Sequence, residues 1–230
     1  MLHAGHCNKS VSKLFCEVLI AFEGIDGSGK TTQAIELSKR LEAEGIPNEV
    51  VREPGGTRLG EGVRELLLHR SDLKISPVAE FLLFSASRAQ LVEEKVNPML
   101  RAGKTVILDR YFYSSIAYQG FGRGIPIDEI EAVSRFATGG LLPDVVFLVE
   151  LDLETAMRRR ENAGRRADRM EEAEVNFFKE VISGFKECAR HDPTRFIVVD
   201  GKAPIGKVSE RIHGNVLNRI KNLAEERNAP

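Results

Sequence analysis

The residues with the clearest chemical potential lie between Gly24 and Thr31, in the order G-x-x-x-x-G-K-T. Glycine lets the backbone approach a ligand at angles that a side chain would prevent. The amide groups of such a loop can surround a polyphosphate, with the lysine at the β- and γ-phosphates and the threonine hydroxyl on Mg²⁺. We therefore expect a nucleoside triphosphate to bind here. The residues predicted to bind it are Gly24, Ile25, Asp26, Gly27, Ser28, Gly29, Lys30, Thr31 and Thr32.

The flanking elements favour this interpretation over an ordinary glycine-rich turn. The apolar run Val18–Phe22 before the loop is typical of a buried strand. After the loop, Ala34, Leu37 and Leu41 recur at helical spacing. A helix that begins at Lys30 would turn the positive end of its dipole toward the phosphates, which is the context in which this motif binds nucleotides.

Further apolar runs predict the rest of a sheet. They do not alternate with polar residues, so we expect both faces of the sheet to be covered, as in parallel sheets. Helical patterns separate the runs, which indicates an α/β fold: a parallel sheet of the P-loop NTPase kind with helices on both faces. The predicted strands are Val18–Phe22, Glu49–Val51, Thr105–Leu108, Val145–Leu151 and Phe196–Val199.

Two of the intervening helices have clear boundary signals. Ser76 followed by Pro77 is typical of an N-cap and a first helical residue, and the helical pattern then continues toward Arg101. A last helix carries apolar residues at helical spacing, which we expect to face the core. These residues are Ile205, Val208, Ile212, Val216, Ile220 and Leu223.

Composition limits the classes of function. A chain of 230 residues can form one domain with a sizeable core, which we place at residues 17–230. The net charge of −1 gives no general attraction to nucleic acid or membranes, and no apolar run is long enough to span a bilayer. Cys7, Cys16 and Cys188 are scattered, which favours free thiols in a reducing compartment such as the cytoplasm.

The first 16 residues lack any periodicity, and we interpret them as a loose extension. Their apolar content is too broken for a secretory signal. His3, His6 and Cys7 could hold a metal, but a loose tail is the favoured interpretation.

A carboxylate and an arginine follow directly after the predicted strand Thr105–Leu108. In open parallel sheets, ligands bind beyond the carboxyl ends of the strands. Asp109 would there steer Mg²⁺ together with the Thr31 hydroxyl, and Arg110 would pair with a phosphate. The alternative is an aspartate that caps the next turn beside a solvated arginine. The phosphate loop in the same fold favours the functional interpretation.

A run of arginines lies within residues 158–171, with Gly164 as a predicted hinge. Such a run is often a solvated helix face or a nucleic-acid patch. It lacks interleaved aromatic residues, and the chain is nearly neutral, so we expect a lid that closes over the triphosphate. The arginines are Arg158, Arg159, Arg160, Arg165, Arg166 and Arg169.

A nucleotide switch or motor is the competing class of function. A GTPase should carry a guanine-reading N-K-x-D motif, and Asn8–Val11 both lacks the aspartate and precedes the phosphate loop. No transporter-type signature is present, and the chain is short for a motor.

Several blocks resemble the thymidylate kinase family, in the family's order. FEGIDGSGKTTQ is similar to its phosphate loop, REPGGTRLGE to its second motif, and FLLFSASRAQLVEEKVNPML to its third helix. DRYFYSSIAYQG, DRME and VDGKAP resemble later blocks, so that the resemblance covers most of the chain after residue 16. It implies a nucleoside monophosphate kinase-like fold and transfer of the γ-phosphate of ATP to dTMP with Mg²⁺. The alternative is another pyrimidine kinase, acting on dUMP, UMP or CMP.

The resemblance also implies roles for individual residues. Phe84 would stack on thymine and Arg88 would bind its carbonyl, although plain core packing is the alternative for Phe84. Asp26 would contact either the sugar 3′-hydroxyl or the Mg²⁺ site, and Tyr118 would crowd a 2′-hydroxyl. Residues implied to bind the monophosphate are Asp26, Glu53, Pro54, Phe84, Arg88, Arg110, Ser115, Tyr118 and Gln119. Catalytic roles fall to Lys30, Asp26, Arg110, Arg165 and Arg166, and ATP contacts outside the loop to Arg160, Lys202 and Ala203.

Four further expectations come from the same resemblance. The Glu53–Pro54 peptide is expected to be cis, and the protein is expected to form a homodimer. The chain departs from the family at Ser87, where Asn or Asp is usual, and at Phe185, where Tyr is common. We expect the first change to alter base recognition slightly and the second to remove a hydroxyl contact.

Overall fold

A parallel sheet forms the centre of the molecule. The computed structural model describes residues 17–162 and 175–228. In these ranges the sheet has five strands in the order β2-β3-β1-β4-β5, and every neighbouring pair is parallel. The strands are β1 (Leu19–Glu23), β2 (Asn48–Arg52), β3 (Thr105–Asp109), β4 (Val145–Glu150) and β5 (Phe196–Asp200).

Helices connect the strands and cover the sheet. Three of them include or continue into π-helical turns, at Glu65–His69, Val92–Val96 and Ile116–Gly122. The α-helices in the described ranges are α1 (Lys30–Ala43), α2 (Arg58–Arg64), α3 (Pro77–Leu91), α4 (Asn97–Arg101), α5 (Phe112–Ser115), α6 (Ile127–Thr138), α7 (Leu153–Asn162), α8 (Val175–His191) and α9 (Ile205–Asn228). None of these helices is long and apolar enough to cross a bilayer.

The predicted fold class is confirmed, and the bounds of every strand lie within one residue of the predicted ones. Ser76 caps α3 as predicted, because its hydroxyl accepts a hydrogen bond from the backbone N–H of Ala79 at 3.4 Å. The Glu53–Pro54 peptide is cis, as the family resemblance implied. One prediction was wrong: Ile205 is 59% exposed and does not belong to the core stripe of α9. It is the first residue of the helix, before the helix has reached the sheet.

Side chains of each strand alternate between two hydrophobic clusters on opposite faces of the sheet. Leu19 and Ala21 contribute to the cluster with α3 and α8, whereas Ile20 and Phe22 contribute to the cluster with α1 and α9. All four are buried. Burial on both faces explains why these strands read as unbroken apolar runs.

Helix α8 approaches the π-helical segment Ile116–Gly122 at backbone distance. A Cβ added at Gly184 would lie 2.9 Å from the Cα of Ala117, and one added at Gly122 would lie 2.5 Å from the Phe177 ring. Real Cβ atoms do not occur at such distances, so only glycine permits this approach. The helix following the predicted lid therefore packs directly on the segment that carries Tyr118.

Candidate active site

A cavity of about 550 Å³ lies where β1, β2 and β3 end. Phe22 and Arg52 both pair in register with Asp109, so the three strands finish at the same edge. The cavity is lined by residues from the phosphate loop, from the segment after β2, from α3 and from the segment after β3. Its walls include Asp26, Lys30, Thr31, Glu53, Pro54, Phe84, Arg88, Asp109, Arg110, Ser115, Tyr118 and Gln119.

Three glycines with positive φ shape the phosphate loop: Gly24 at 137°, Gly27 at 84° and Gly29 at 103°. A Cβ at Gly24 would lie 2.6 Å from the carbonyl oxygen of Val149, so the loop passes too close to β4 for any other residue. Gly29 is the N-cap of α1 and leaves the first amides of that helix unpaired within it. The buried hydroxyl of Ser28 also has no partner in the described structure. These features fit a site for an anion.

Lys30 is the buried cation of this loop. Its side chain is 5% exposed, and its ammonium donates a hydrogen bond to the Ile25 carbonyl at 2.9 Å. Burial, together with the nearby Arg110, lowers the pKa of Lys30 to about 8, whereas Asp26 and Asp109 oppose that shift. A bound polyphosphate would strengthen the protonated form by adding negative charge.

Thr31 and Asp109 provide neighbouring oxygen ligands. The hydroxyl of Thr31 donates to Oδ2 of Asp109 at 2.5 Å, which joins the first turn of α1 to the end of β3. In the described ranges there is no cluster of three or more His, Cys, Asp or Glu side chains that could hold a metal on its own. A cation here would need the phosphates of its substrate as additional ligands, which is how Mg²⁺ commonly binds.

Arg110 connects the phosphate loop with the segment after β3. It adopts a φ of 77°, in the left-handed region that non-glycine residues rarely occupy. Its guanidinium donates to Oδ1 of Asp26 at 2.5 Å, to the Gly24 carbonyl at 3.1 Å and to the Ser114 hydroxyl at 2.9 Å. It also lies over the Tyr118 ring, 5.1 Å from its centroid.

Asp26 accepts hydrogen bonds from both Arg110 and Tyr118. The Tyr118 hydroxyl donates to Oδ2 of Asp26 at 2.9 Å. Burial alone would raise the pKa of Asp26, but the cations Arg110 and Lys30 hold it well below its usual range. Asp26 is therefore ionised at neutral pH, and it is positioned to accept a hydrogen bond from a hydroxyl group in the cavity.

Glu23 was not identified from the sequence as a site residue. It is fully buried, and its carboxylate accepts hydrogen bonds from the Tyr111 amide at 2.8 Å and the Ser114 hydroxyl at 2.6 Å. Burial raises the pKa of Glu23 to about 7, against the opposing effect of these bonds and of Arg110. This side chain holds the segment on both sides of Arg110, and the sequence signal was a glutamate at the end of an apolar strand.

Arg88 and Glu53 form a buried ion pair in the wall of the cavity. Nε of Arg88 donates to Oε2 of Glu53 at 2.7 Å, and Nη2 donates to the Ser115 hydroxyl at 3.2 Å. Burial raises the pKa of Glu53, although the Arg88 charge opposes this effect. Arg88 Nη1 and Glu53 Oε1 are buried without a partner in the described structure. They are therefore available to form hydrogen bonds with a bound ligand. Phe84 lies one turn before Arg88, is half-buried and lines the same cavity.

A second buried polar network holds Gln119. Its amide donates to Oε1 of Glu80 at 3.0 Å, and Arg123 donates to the same carboxylate at 3.3 Å. Glu80 is 1% exposed. It was not recognised in the sequence because it looks like an ordinary first-turn acidic residue of α3.

The two residues at which the chain departs from the family pattern make defined contacts. Ser87 is buried and accepts a hydrogen bond from the Gly55 amide at 3.4 Å, so it contacts the loop after β2 and does not line the cavity. Phe185 packs edge-on against the ring of Tyr118, with centroids 6.0 Å apart.

On the predicted ATP side, Arg159 makes the contacts with the phosphate loop. Its guanidinium donates to the carbonyls of Gly27 at 3.5 Å, Ser28 at 3.4 Å and Gly201 at 2.9 Å. It thereby joins the phosphate loop to the turn that carries Lys202 and Ala203. The guanidinium of Arg160 lies over the Phe178 ring.

Arg160 nevertheless lies near the loop, because its Cγ is 3.3 Å from a Cβ built at Gly27. Lys202 pairs with Asp152 at 2.7 Å on the surface. Thr32 is exposed at the start of α1. Arg165, Arg166, Arg169 and the extension at residues 1–16 lie outside the described residues.

Comparison with known proteins gives consistent results. The family model described as thymidylate kinase matches residues 22–212. The thymidylate kinase of Caldanaerobacter subterraneus subsp. tengcongensis is 46% identical over 193 residues, which are 84% of this chain and 91% of that relative. The thymidylate kinase of Deinococcus radiodurans is 43% identical over 202 residues, which are 88% of this chain and 97% of that relative.

The fold agrees with this result. The crystal structure of thymidylate kinase from Ehrlichia chaffeensis superposes with a TM-score of 0.72 at 30% identity, covering 88% of this chain and 99% of that one. With the geometry of the cavity, these matches identify the family: the chain belongs to the thymidylate kinases.

Proposed function

We propose that this chain transfers the γ-phosphate of ATP to dTMP, giving ADP and dTDP. The observation that carries the proposal is one cavity lined both by the phosphate-loop residue Lys30 and by Phe84 and Arg88. A triphosphate on the loop and a pyrimidine monophosphate beside Arg88 would share this space. Membership of the thymidylate kinase family supports thymidine monophosphate as the acceptor.

The acceptor side would combine stacking with hydrogen bonding. Phe84 would stack on thymine, and the buried Nη1 of Arg88, which has no partner in the described structure, would donate to a base carbonyl. Ser115 and Gln119 would lie near the base edge, and Glu53 would hold Arg88 in place through their ion pair. Arg110 would bind the acceptor phosphate, since its planar fork suits phosphate oxygens.

The donor side would rest on the loop amides and Lys30. In the transfer, an oxygen of the dTMP phosphate bonds to the γ-phosphorus while the bond from that phosphorus to the β-phosphate oxygen breaks. Such a reaction requires alignment and cations and little covalent chemistry from the protein. Lys30 and Arg110 would therefore stabilise charge, and Asp26 would position Arg110 and the acceptor sugar.

Thr31 and Asp109 fit a magnesium ion, because both offer oxygen within one hydrogen-bond length. When bound, the ion would neutralise charge on the β- and γ-phosphates. The lid arginines Arg165 and Arg166 would supply further positive charge, since Lys30 is the only cationic residue of the loop.

An ADP-release assay with dTMP, dUMP, UMP and CMP side by side tests the proposal. We expect the highest kcat/KM with dTMP. The Lys30→Met variant, purified in parallel, should lose activity with every acceptor, which excludes a contaminating kinase. A higher kcat/KM with UMP or CMP than with dTMP would establish one of the other pyrimidine kinases instead.

A homodimer belongs to the same proposal. Exposed apolar side chains occur on α2, α3 and α6, and these helices are neighbours, because α3 packs against both of the others. Phe136 is 91% exposed, which is unusual for so large an apolar group. The others are Leu59 on α2, Leu66 in the π-helical turn that continues α2, and Val78 and Leu82 on α3.

Light scattering of the parent and of Phe136→Glu tests this arrangement. The parent is expected at twice the 25.6 kDa chain mass, and the variant at a lower average mass. A monomeric parent would contradict the dimer. A cytoplasmic location, also proposed, rests on the scattered cysteines and on the supply of ATP.

A further inference from the structure

A second cavity, of about 620 Å³, lies outside the proposed active site. It is a cleft lined by α5 and the following π-helical segment, by α6, by α8 and by the segments that follow α6 and α8. Aromatic and apolar side chains form much of its wall, including Phe112, Tyr113, Ile116 and Phe121. Its size and its lining are those of cavities that bind small organic molecules.

A buried hydroxyl in this wall has no hydrogen-bond partner. Ser134 of α6 is 2% exposed, and its Oγ has no partner in the described structure. One turn later, the hydroxyl of Thr138 donates to the Arg135 carbonyl at 3.4 Å. An unpaired buried hydroxyl costs free energy, and a ligand that forms a hydrogen bond with Ser134 would recover it.

The charged groups around the cavity are balanced in sign. The lining therefore provides no excess positive charge that would attract a nucleotide or another polyanion. Asp192 is paired with Arg195, and Glu187 with Arg190 and His191. The remaining charged groups in the lining are Glu131 and Arg135, one of each sign. An uncharged ligand therefore fits this cavity better than a charged one.

One helical stretch separates the two cavities. Residues 111, 114, 115, 118 and 119 line the active-site cavity, and residues 112, 113, 116 and 121 line the second one. This is the alternation of two opposite faces of one helix. A ligand that displaces Tyr113 or Ile116 would therefore act on the same turn that carries Ser115 and Tyr118.

From these observations we propose that the second cavity binds a small uncharged aromatic molecule with one hydroxyl or N–H group, which hydrogen-bonds to Ser134. Binding changes the affinity of the active site for its monophosphate through the shared helical stretch. The binding is independent of the proposed function, and only its effect on dTMP rests on that function.

Binding is tested with 6-fluoro-2-naphthol, followed by ¹⁹F NMR on the full chain. We expect the probe to bind saturably and to remain able to bind when dTMP is saturating. Saturating dTMP should change the dissociation constant of the probe by a finite factor. The probe should change the affinity for dTMP by the same factor, since coupling between two sites is reciprocal. Ser134→Ala should weaken binding by about fivefold, the value of one neutral hydrogen bond. Ser183→Ala, at an exposed position of α8, should bind as the parent does.

A cavity-filling variant adds an independent test. Cys188 lines the cavity from α8, and Cys188→Phe should abolish binding, whereas Cys188→Ser should retain it. The naphthol should change the KM for dTMP of the parent and leave that of Cys188→Phe unaltered. If Cys188→Phe does not fold, the Ser134→Ala comparison still decides.

Two results would overturn the site: complete displacement of the probe by dTMP, or equal affinity in the parent, Ser134→Ala and any folded Cys188→Phe. Binding at the site with no change in the KM for dTMP would refute the coupling. An inactive enzyme that still binds the probe would contradict the proposed function and leave the site intact.

Discussion

Asp26 and Arg110 form an ion pair in the wall of the cavity, with Oδ1 of Asp26 and Nη2 of Arg110 2.5 Å apart. The two groups that we expect to handle the acceptor are thus already neutralised and oriented before any substrate binds. An incoming phosphate has to share Arg110 with a carboxylate. The pair therefore keeps the guanidinium in place without a bound anion, and it sets the position from which phosphate is recognised.

Asp26→Asn tests this arrangement. We expect kcat with dTMP to fall by about 10²-fold, as for the loss of a group that orients the reacting partners. The KM should change little, because Arg110 remains available for the phosphate. Steady-state kinetics measure both. The matched control, Asp72→Asn, removes an exposed carboxylate paired with Arg70 and should behave as the parent. A raised KM with an unchanged kcat would show that Asp26 serves binding alone.

Arg88→Met leaves Glu53 buried without its partner. Removing one partner of a buried pair costs about 3–5 kcal/mol, so we expect the free energy of unfolding in urea to fall by that order. Arg88→Met with Glu53→Gln should recover part of the loss, while the KM for dTMP stays raised in both variants. Arg70→Met, which breaks the exposed pair with Asp72, is the control. Equal stabilities for the Arg88 and Arg70 variants would contradict the interpretation.

Tyr118 is expected to favour deoxy substrates. Tyr118→Ala should narrow the difference in kcat/KM between dUMP and UMP, because the ring no longer crowds a 2′-hydroxyl. Tyr118→Phe keeps the ring and removes the hydrogen bond to Asp26, so it should lower kcat and preserve the ratio. A parental dUMP/UMP ratio in Tyr118→Ala would remove the residue from this role.

Glu23 should make stability depend on pH. Its pKa rises from about 4.5 in the unfolded chain to about 7 in the folded one, so folding takes up a proton between these values. The contribution of this proton to the free energy of unfolding is complete below pH 4.5 and is lost as the pH rises through 7. The side chain of the Glu23→Gln variant does not titrate. As the pH rises from 4.5 through 7, the free energy of unfolding of the parent should therefore fall relative to that of this variant.

Urea unfolding at several pH values measures the difference. Glu42→Gln, an exposed glutamate of α1, is the control and should run parallel to the parent. Parallel curves for the parent and Glu23→Gln would show that Glu23 does not titrate there.

The lid arginines should act mainly in the transition state. Arg165→Ala and Arg166→Ala should lower kcat much more than they raise the KM for ATP, up to the ~10³–10⁵-fold known for such arginines. Lysine at either position should rescue only in part, since it lacks the planar fork. Arg211→Ala, at an exposed arginine of α9 outside the lid, is the control. Parental kcat in both alanine variants would indicate a lid that serves solubility alone.

The sequence was most informative where chemistry is local. The phosphate loop, Asp109 at the end of β3 and the proline at the start of α3 each depend on neighbours in the chain, and all three were predicted. The family resemblance placed Arg88 and Tyr118 in the cavity region, which periodicity alone could not do.

Residues whose roles depend on distant partners were missed. Glu23 accepts a hydrogen bond from Ser114, which is 91 positions away, and no local sequence pattern at either residue indicates this contact. Arg159 and Arg160 are adjacent, and only the rotation of α7 decides which of them meets the loop carbonyls. The π-helical turns have no sequence signal of their own, because their extra residue per turn is selected by packing.

The glycine contact between α8 and the segment Ile116–Gly122 limits how this enzyme can be redesigned. Many engineers would alter the acceptor preference by changing the residues around Tyr118 one at a time. At Gly184 and Gly122 there is no free space between α8 and the segment Ile116–Gly122, so a larger residue on one requires a compensating change on the other. Libraries that vary both helices together should therefore contain more folded members than libraries that vary either helix alone.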